Sequence, residues 1–139
     1  GEVENVDIIE AGNDGIDFMN STMSLTNISV EKALDKALSV GEASNINVDS
    51  GSINNSNIGI AIKDQSKFKL SRYKLQENHI AVDVFKKNWS YGGSGEGHLS
   101  EIEFVNNEVD LQVENGGSLF LKQEIPSKIY NDGIIKQTK

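Results

Sequence analysis

The chain has 139 residues, 37% of them hydrophobic, with 13 glycines, one proline and no cysteine. That length suits one domain with a real core, and the missing cysteine excludes a disulfide scaffold or a thiolate metal site. The net charge of −8 is uneven, with ten acids against two lysines in residues 1–60 and eleven of each sign in residues 61–139. An acidic half repels nucleic acid and anionic lipid, so neither is expected as a partner. No apolar run approaches the roughly 18 residues of a membrane span.

Taken in chain order, residues 1–12 match the second half of a repeat: Val3, Val6 and Ile8 precede Leu25, Ile28 and Val30 by 22 positions. Three units of 22 residues follow, at 13–34, 35–56 and 57–78. A fourth, 79–107, is lengthened near FKKNWSYGGSGEG, and a looser fifth runs from 108 to about 130. A sixth opens at Asn131-Asp132-Gly133-Ile134, echoing Asn13-Asp14-Gly15-Ile16.

Aligned by unit, the fourth position reads Ile16, Leu38, Ile60, Val82, Leu111, and the sixth reads Phe18, Val40, Ile62, Val84, Val113. Period-two alternation predicts a strand with one buried face. Two more apolar columns follow, one through Val3, Leu25, Val48, Leu70, Leu99 and Leu121, the other through Ile8, Val30, Ile53, Leu75 and Phe104. Three short parallel strands per coil, with like side chains stacked at the strand spacing, predict an all-β right-handed parallel β-helix of about five coils. Val30 to Leu38 alone has helical spacing and good helix formers, but its place in the columns predicts strand.

The phrases NDGID, DKALSVGEAS and NIGIAIKDQS, spaced 22 apart, resemble right-handed parallel β-helix proteins of the pectate-lyase-like superfamily. More narrowly they are similar to bacterial β-helix modules found beside CotH-like or other cell-surface domains. The resemblance implies a single β-helix domain over 1–139, the C-terminal part of a longer extracellular or surface protein. Its superfamily hosts lyases, hydrolases, epimerases, tailspikes and non-catalytic modules, so it implies fold more than activity.

Chemistry is expected on the outer face of the leading strand. The third position (Gly15, Ala37, Gly59, Ala81, Asp110) and the fifth (Asp17, Ser39, Ala61, Asp83, Gln112) are read as a flat outward face. Such a face suits a polysaccharide, an upstream domain or an identical chain. Asp17 and Asp83 are three coils apart, roughly 14 Å, too far for a glycosidase pair. At the next turn Glu42, Asp64 and Lys86 stack as catalytic candidates, with Lys63 and Lys87 alongside. Two carboxylates that close repel, or share a cation; a solvated ladder of alternating charge is the plainer alternative. Asp14, Asp17 and Asp35 could gather around Ca²⁺, which takes several oxygens. Trp89 and Tyr91 in the inserted loop could stack on sugar rings, or Trp89 could close over the core. The expectation is a non-catalytic scaffold or carbohydrate-binding module. The alternatives are a fragment of a polysaccharide lyase, hydrolase or epimerase, and an oligomeric spike.

Overall fold

The computed structural model describes residues 1–86 and 95–138, and among them are thirteen strands and no helix. The longer strands are β1 (Glu2–Ile9), β3 (Thr22–Glu31), β5 (Asn45–Asn54), β7 (Lys67–Gln76) and β9 (Glu96–Val105), followed by β11 (Ser118–Leu121) and β13 (Ile134–Gln137). They pair in that order as one seven-stranded sheet. Between them come β2 (Ile16–Met19), β4 (Lys36–Gly41), β6 (Ile58–Lys63), β8 (Ile80–Phe85), β10 (Val109–Val113) and β12 (Ile129–Asn131), which form a six-stranded sheet. Every pairing is parallel, and neighbours in each sheet are one coil apart. The chain is a parallel β-solenoid of six coils counted along the smaller sheet.

The columns read from the sequence are vertical neighbours. Ile16, Leu38, Ile60, Val82 and Leu111 pair rung on rung. So do Val3, Leu25, Val48, Leu70, Leu99 and Leu121. Except for Val3 and Ile16, which are half-buried and pack against it, these side chains form one buried cluster with Phe68, Ile46 and Leu75. Each large apolar side chain taken out of water contributes about 1.5–3 kcal/mol, which is what holds the coils in register. The Val30–Leu38 segment is not helical: β3 ends at Glu31, β4 starts at Lys36, and Leu34 between them is exposed.

Two of the three expected ribbons merge into one long, bent strand. The bend falls at Asn5, Asn27, Ser50, Arg72 and Glu101, each with φ between 53° and 64°. Left-handed backbone at those residues turns the corner and interrupts the ladder, which resumes one residue later. Asn tolerates this conformation best among non-glycine residues, which accounts for part of the asparagine content.

Two features lock particular coils together. In the first, buried side chains accept backbone amides from the preceding coil. Ser56 Oγ accepts the Ala33 N–H (3.2 Å), Asn78 Oδ1 accepts Ser56 N–H (3.0 Å), and Asn107 Oδ1 accepts Asn78 N–H (3.0 Å). Ser44 and Ser66 repeat the device at another corner, accepting the Ser21 and Ser44 amides at 3.1 Å. In the second, Gly51 stacks between Ile28 and Tyr73. The Tyr73 hydroxyl donates past it to the Ile28 carbonyl, two coils away, at 2.5 Å. A β-carbon at Gly51 would lie 2.0 Å from that same carbonyl oxygen, and φ there is 139°.

Candidate functional site

The fifth position forms the outer face of the six-stranded sheet, in the register Asp17, Ser39, Ala61, Asp83, Gln112, Tyr130. The third position does not join it, which corrects the expectation of a wide flat face. Ala37 and Ala81 belong to the core, and a β-carbon on Gly15 would meet the Val30 side chain. The chain enters the strand through a corner there, and two successive residues point inward. The pairing skips the Ala37 and Gly59 position for the same reason. The middle of the fifth column is also closed to solvent: Ser39 and Ala61 are fully buried, and among the described residues Ser39 Oγ has no hydrogen-bond partner. A flat strand face open to a polymer or a second chain along its whole length is therefore not what this sheet presents.

The column opens at its C-terminal end. Asp83, Phe85, Gln112, Val113, Glu114, Tyr130 and Asp132 line a shallow cleft of about 450 Å³. β8, β10 and β12 hold Asp83, Gln112 and Tyr130 as vertical neighbours. The turn after β10 supplies Glu114, whose Oε2 accepts the Lys86 backbone N–H at 2.5 Å. Asp83 is only 7% exposed. Burial pushes its carboxyl up to about 6; the hydrogen bond from Gln112 (3.5 Å) and the charge of Lys36 oppose this, while Glu114 adds to it. Desolvation outweighs the partners, so this carboxyl takes a proton in mildly acidic water. Tyr130, 67% exposed, offers a ring face at the rim.

The other expected site residues are dispersed. Asp17 is exposed, at the far end of the column from Asp83. Asp14 Oδ1 accepts the Lys36 backbone N–H at 3.3 Å, and the Lys36 ammonium pairs with Asp35 at 2.6 Å, not with Asp14. Among the described residues no group of three or more His, Asp or Glu side chains could hold a metal ion, so Asp14, Asp17 and Asp35 do not gather. Glu42 and Asp64 do stack at one corner, both left-handed, with the Asn20 and Ala43 amides bonded to their carbonyls. Asp64 and Lys63 are buried. The Lys63 stem occupies the space over Gly41, where a β-carbon would meet its Cε at 2.6 Å. Lys86 lies at the cleft's edge through the Glu114 contact. Lys87, Trp89 and Tyr91 lie outside the described residues.

A second groove, on the outer face of the larger sheet, was not singled out from the sequence. Lys69, His98, Phe120, Lys122, Ser71 and Ser100 line about 270 Å³. The His98 ring stacks on Phe120 at 5.1 Å, and its Nε2 meets Glu96 at 2.8 Å. The column Lys69, His98, Phe120 is spaced by 29 and 22 residues, the lengths of the fourth repeat and of a standard one. The same alignment that gave the core therefore contained it.

No protein-family model, curated protein or solved structure matches the chain. Its fold and the chemistry of its grooves are the basis for a functional reading.

Proposed function

We propose that the chain is a rigid, non-catalytic β-solenoid module that holds a carbohydrate segment in the cleft beside Asp83. The observation that supports this most is the cleft's make-up: an exposed tyrosine ring beside Gln112, Asp83, Glu114 and Asp132. Sugar recognition uses an aromatic surface for the ring's apolar face and side-chain acceptors for its hydroxyls. Acceptors predominate here and carry negative charge, so the ligand is neutral or amine-bearing. The resemblance of the repeat motifs to pectate-lyase-like β-helices of bacterial surface proteins supports this reading, since a stiff scaffold of that kind can carry a binding face without catalysis.

Titration of ¹⁵N-labelled protein with neutral and amino-sugar oligosaccharides should shift the amides of Gln112, Glu114 and Tyr130. Tyr130→Ala should weaken binding roughly ten-fold, the equivalent of one stacking contact. A panel that moves no amide around the cleft removes the reading.

One observation favours a second reading, a glycoside-cleaving site. Asp83 is readily protonated, while Glu114 close by is exposed, and an acid beside a carboxylate base is what glycosidic cleavage requires. Release of reducing ends that Asp83→Asn abolishes would select it.

A further inference from the structure

The groove on the larger sheet is built on β7, β9 and β11, each of which is paired along both edges. It therefore belongs to the body of the solenoid. We propose that it is a second binding site, for a sugar ring that carries a tetrahedral oxyanion, as a sulfate or phosphate ester. It lies on the other sheet from the Asp83 cleft, and the inference does not rest on the reading of that cleft.

Strand alternation makes the groove. Leu70, Leu99 and Leu121 turn into the core, and the residues before and after each of them face outward. Two outward columns therefore run along the solenoid, with backbone as the floor between them. One wall is Lys69, His98 and Phe120; the other is Ser71, Ser100 and Lys122. The His98 and Phe120 rings stack at 5.1 Å and give the first wall an apolar stretch. The Ser71 and Ser100 hydroxyls stand across the floor from it. An apolar wall opposite hydroxyls suits a sugar ring, with its apolar face and polar edge.

Charge decides what the ring carries. The chain has a net charge of −8, yet among the described residues no carboxylate lines this groove. Glu96, two residues before His98, is engaged by the His98 Nε2 at 2.8 Å. Other cations of β7 stand beside acids: Lys67 is in register with Glu96, Lys74 with Glu103, and Arg72 is held by both carboxylate oxygens of Asp49. Lys69 has Asn47 and His98 as rung neighbours, and Lys122, next after the Leu121–Leu99 pair, stands over Ser100. Neither lysine forms an ion pair among the described residues. Two rungs separate them, about 10 Å along the axis, a gap that two lysine side chains span. An anion between them receives both ammonium groups.

Lysine in place of arginine sets the anion's shape. A planar carboxylate is matched by the fork of a guanidinium, whereas ammonium groups act as point charges converging on the oxygens of a phosphate or of an anion of the same shape. The chain's one arginine, Arg72, is already committed to Asp49. Lys69 and Lys122 approach from different rungs and opposite walls, with the Ser100 hydroxyl beside Lys122. Donors so arranged surround three terminal oxygens better than they line one edge of a carboxylate.

Titration of the ¹⁵N-labelled chain with glucose 6-sulfate and glucose 6-phosphate tests this, with glucose, glucuronate and inorganic phosphate as comparison probes. Either ester should move the amides of His98, Ser100 and Lys122, and the tighter of the two identifies the anion. Glucose should leave those amides in place, and glucuronate and inorganic phosphate should bind about five-fold more weakly than the better ester. Lys69→Gln and Lys122→Gln should each weaken the ester about five-fold at an unchanged circular dichroism spectrum, and added salt should weaken it in the wild type. Shifts confined to Gln112, Glu114 and Tyr130 overturn the proposal and leave the reading of the Asp83 cleft standing. So does glucuronate or inorganic phosphate binding as tightly as the esters, an affinity that both lysine variants keep, or no shift with either ester.

Discussion

Replacing Asp83 with asparagine tests the electrostatics of the cleft directly. The native carboxyl titrates near 6, against 3.8 for the unperturbed group. Below about pH 4 it is protonated whether the chain is folded or not, and its contribution to stability is complete. Between about pH 4 and 6 the unfolded chain gives up this proton while the native chain keeps it. Stability therefore falls as pH rises through that window and is lost above it. A difference of about two units corresponds to at most about 3 kcal/mol, and solvent entering the cleft reduces it. Asparagine keeps a hydrogen-bonding partner for Gln112 and carries no charge. Asp83→Asn should therefore match the wild type near pH 4 and exceed it by about 1–3 kcal/mol near pH 7.5. In a chain of this length that is a rise in Tm of about 4–10 °C. Urea unfolding followed by far-ultraviolet circular dichroism, at several pH values, measures the difference curve directly. If the two proteins are equally stable near neutral pH, or if the wild type gains on Asp83→Asn as pH rises, the buried-carboxyl argument is wrong.

Three further substitutions probe the locks between coils. Asn78→Ala leaves the Ser56 amide without its side-chain acceptor and removes the Nδ2 group that donates to Asn107 Oδ1 and the Ile53 carbonyl, while the backbone N–H to Asn107 Oδ1 stays. A buried orphan donor makes that cost about 2–4 kcal/mol, readable as a lower urea midpoint at unchanged slope. Gly51→Ala drives a methyl into the Ile28 carbonyl and the Tyr73 ring. It should cost more than about 3 kcal/mol or prevent folding, whereas Tyr73→Phe, which only orphans a carbonyl, should cost about 1–3 kcal/mol; comparing the two melts separates crowding from the lost hydrogen bond.

The sequence made the core legible because apolar columns at a fixed period survive every substitution that keeps a side chain aliphatic. Ile16, Leu38, Ile60 and Val82 are such a column. What misled was extending strict alternation past the strand's first paired residue. At Ala37, the second residue of β4, the ladder skips a position, and alanine fits equally well inside and out. The Val30–Leu38 segment shows the converse: local helix preference yields to the stacking of Val30 and Leu38 on their neighbours. The cleft was half visible. Asp83 and Gln112 followed from the column, but Tyr130 did not, because Ile129 pairs with Leu111 only 18 residues earlier and so breaks the period. The buried amide acceptors Ser56, Asn78 and Asn107 each ended a repeat in plain sight. Their role depends on side-chain direction, which a polar turn residue does not announce.

The Tyr73 hydroxyl bears on how such an array can change length. Most rungs touch only the one above and the one below, so a unit can be duplicated or deleted with its neighbours rejoining. A donor and an acceptor 45 residues apart, spanning a glycine that must lie between them, allow no such edit. One extra unit between Ile28 and Tyr73 would part them, and one fewer would set the phenol against its own acceptor's neighbours. Growth or loss of the array is thus confined to the remainder, and this triplet is its fixed point.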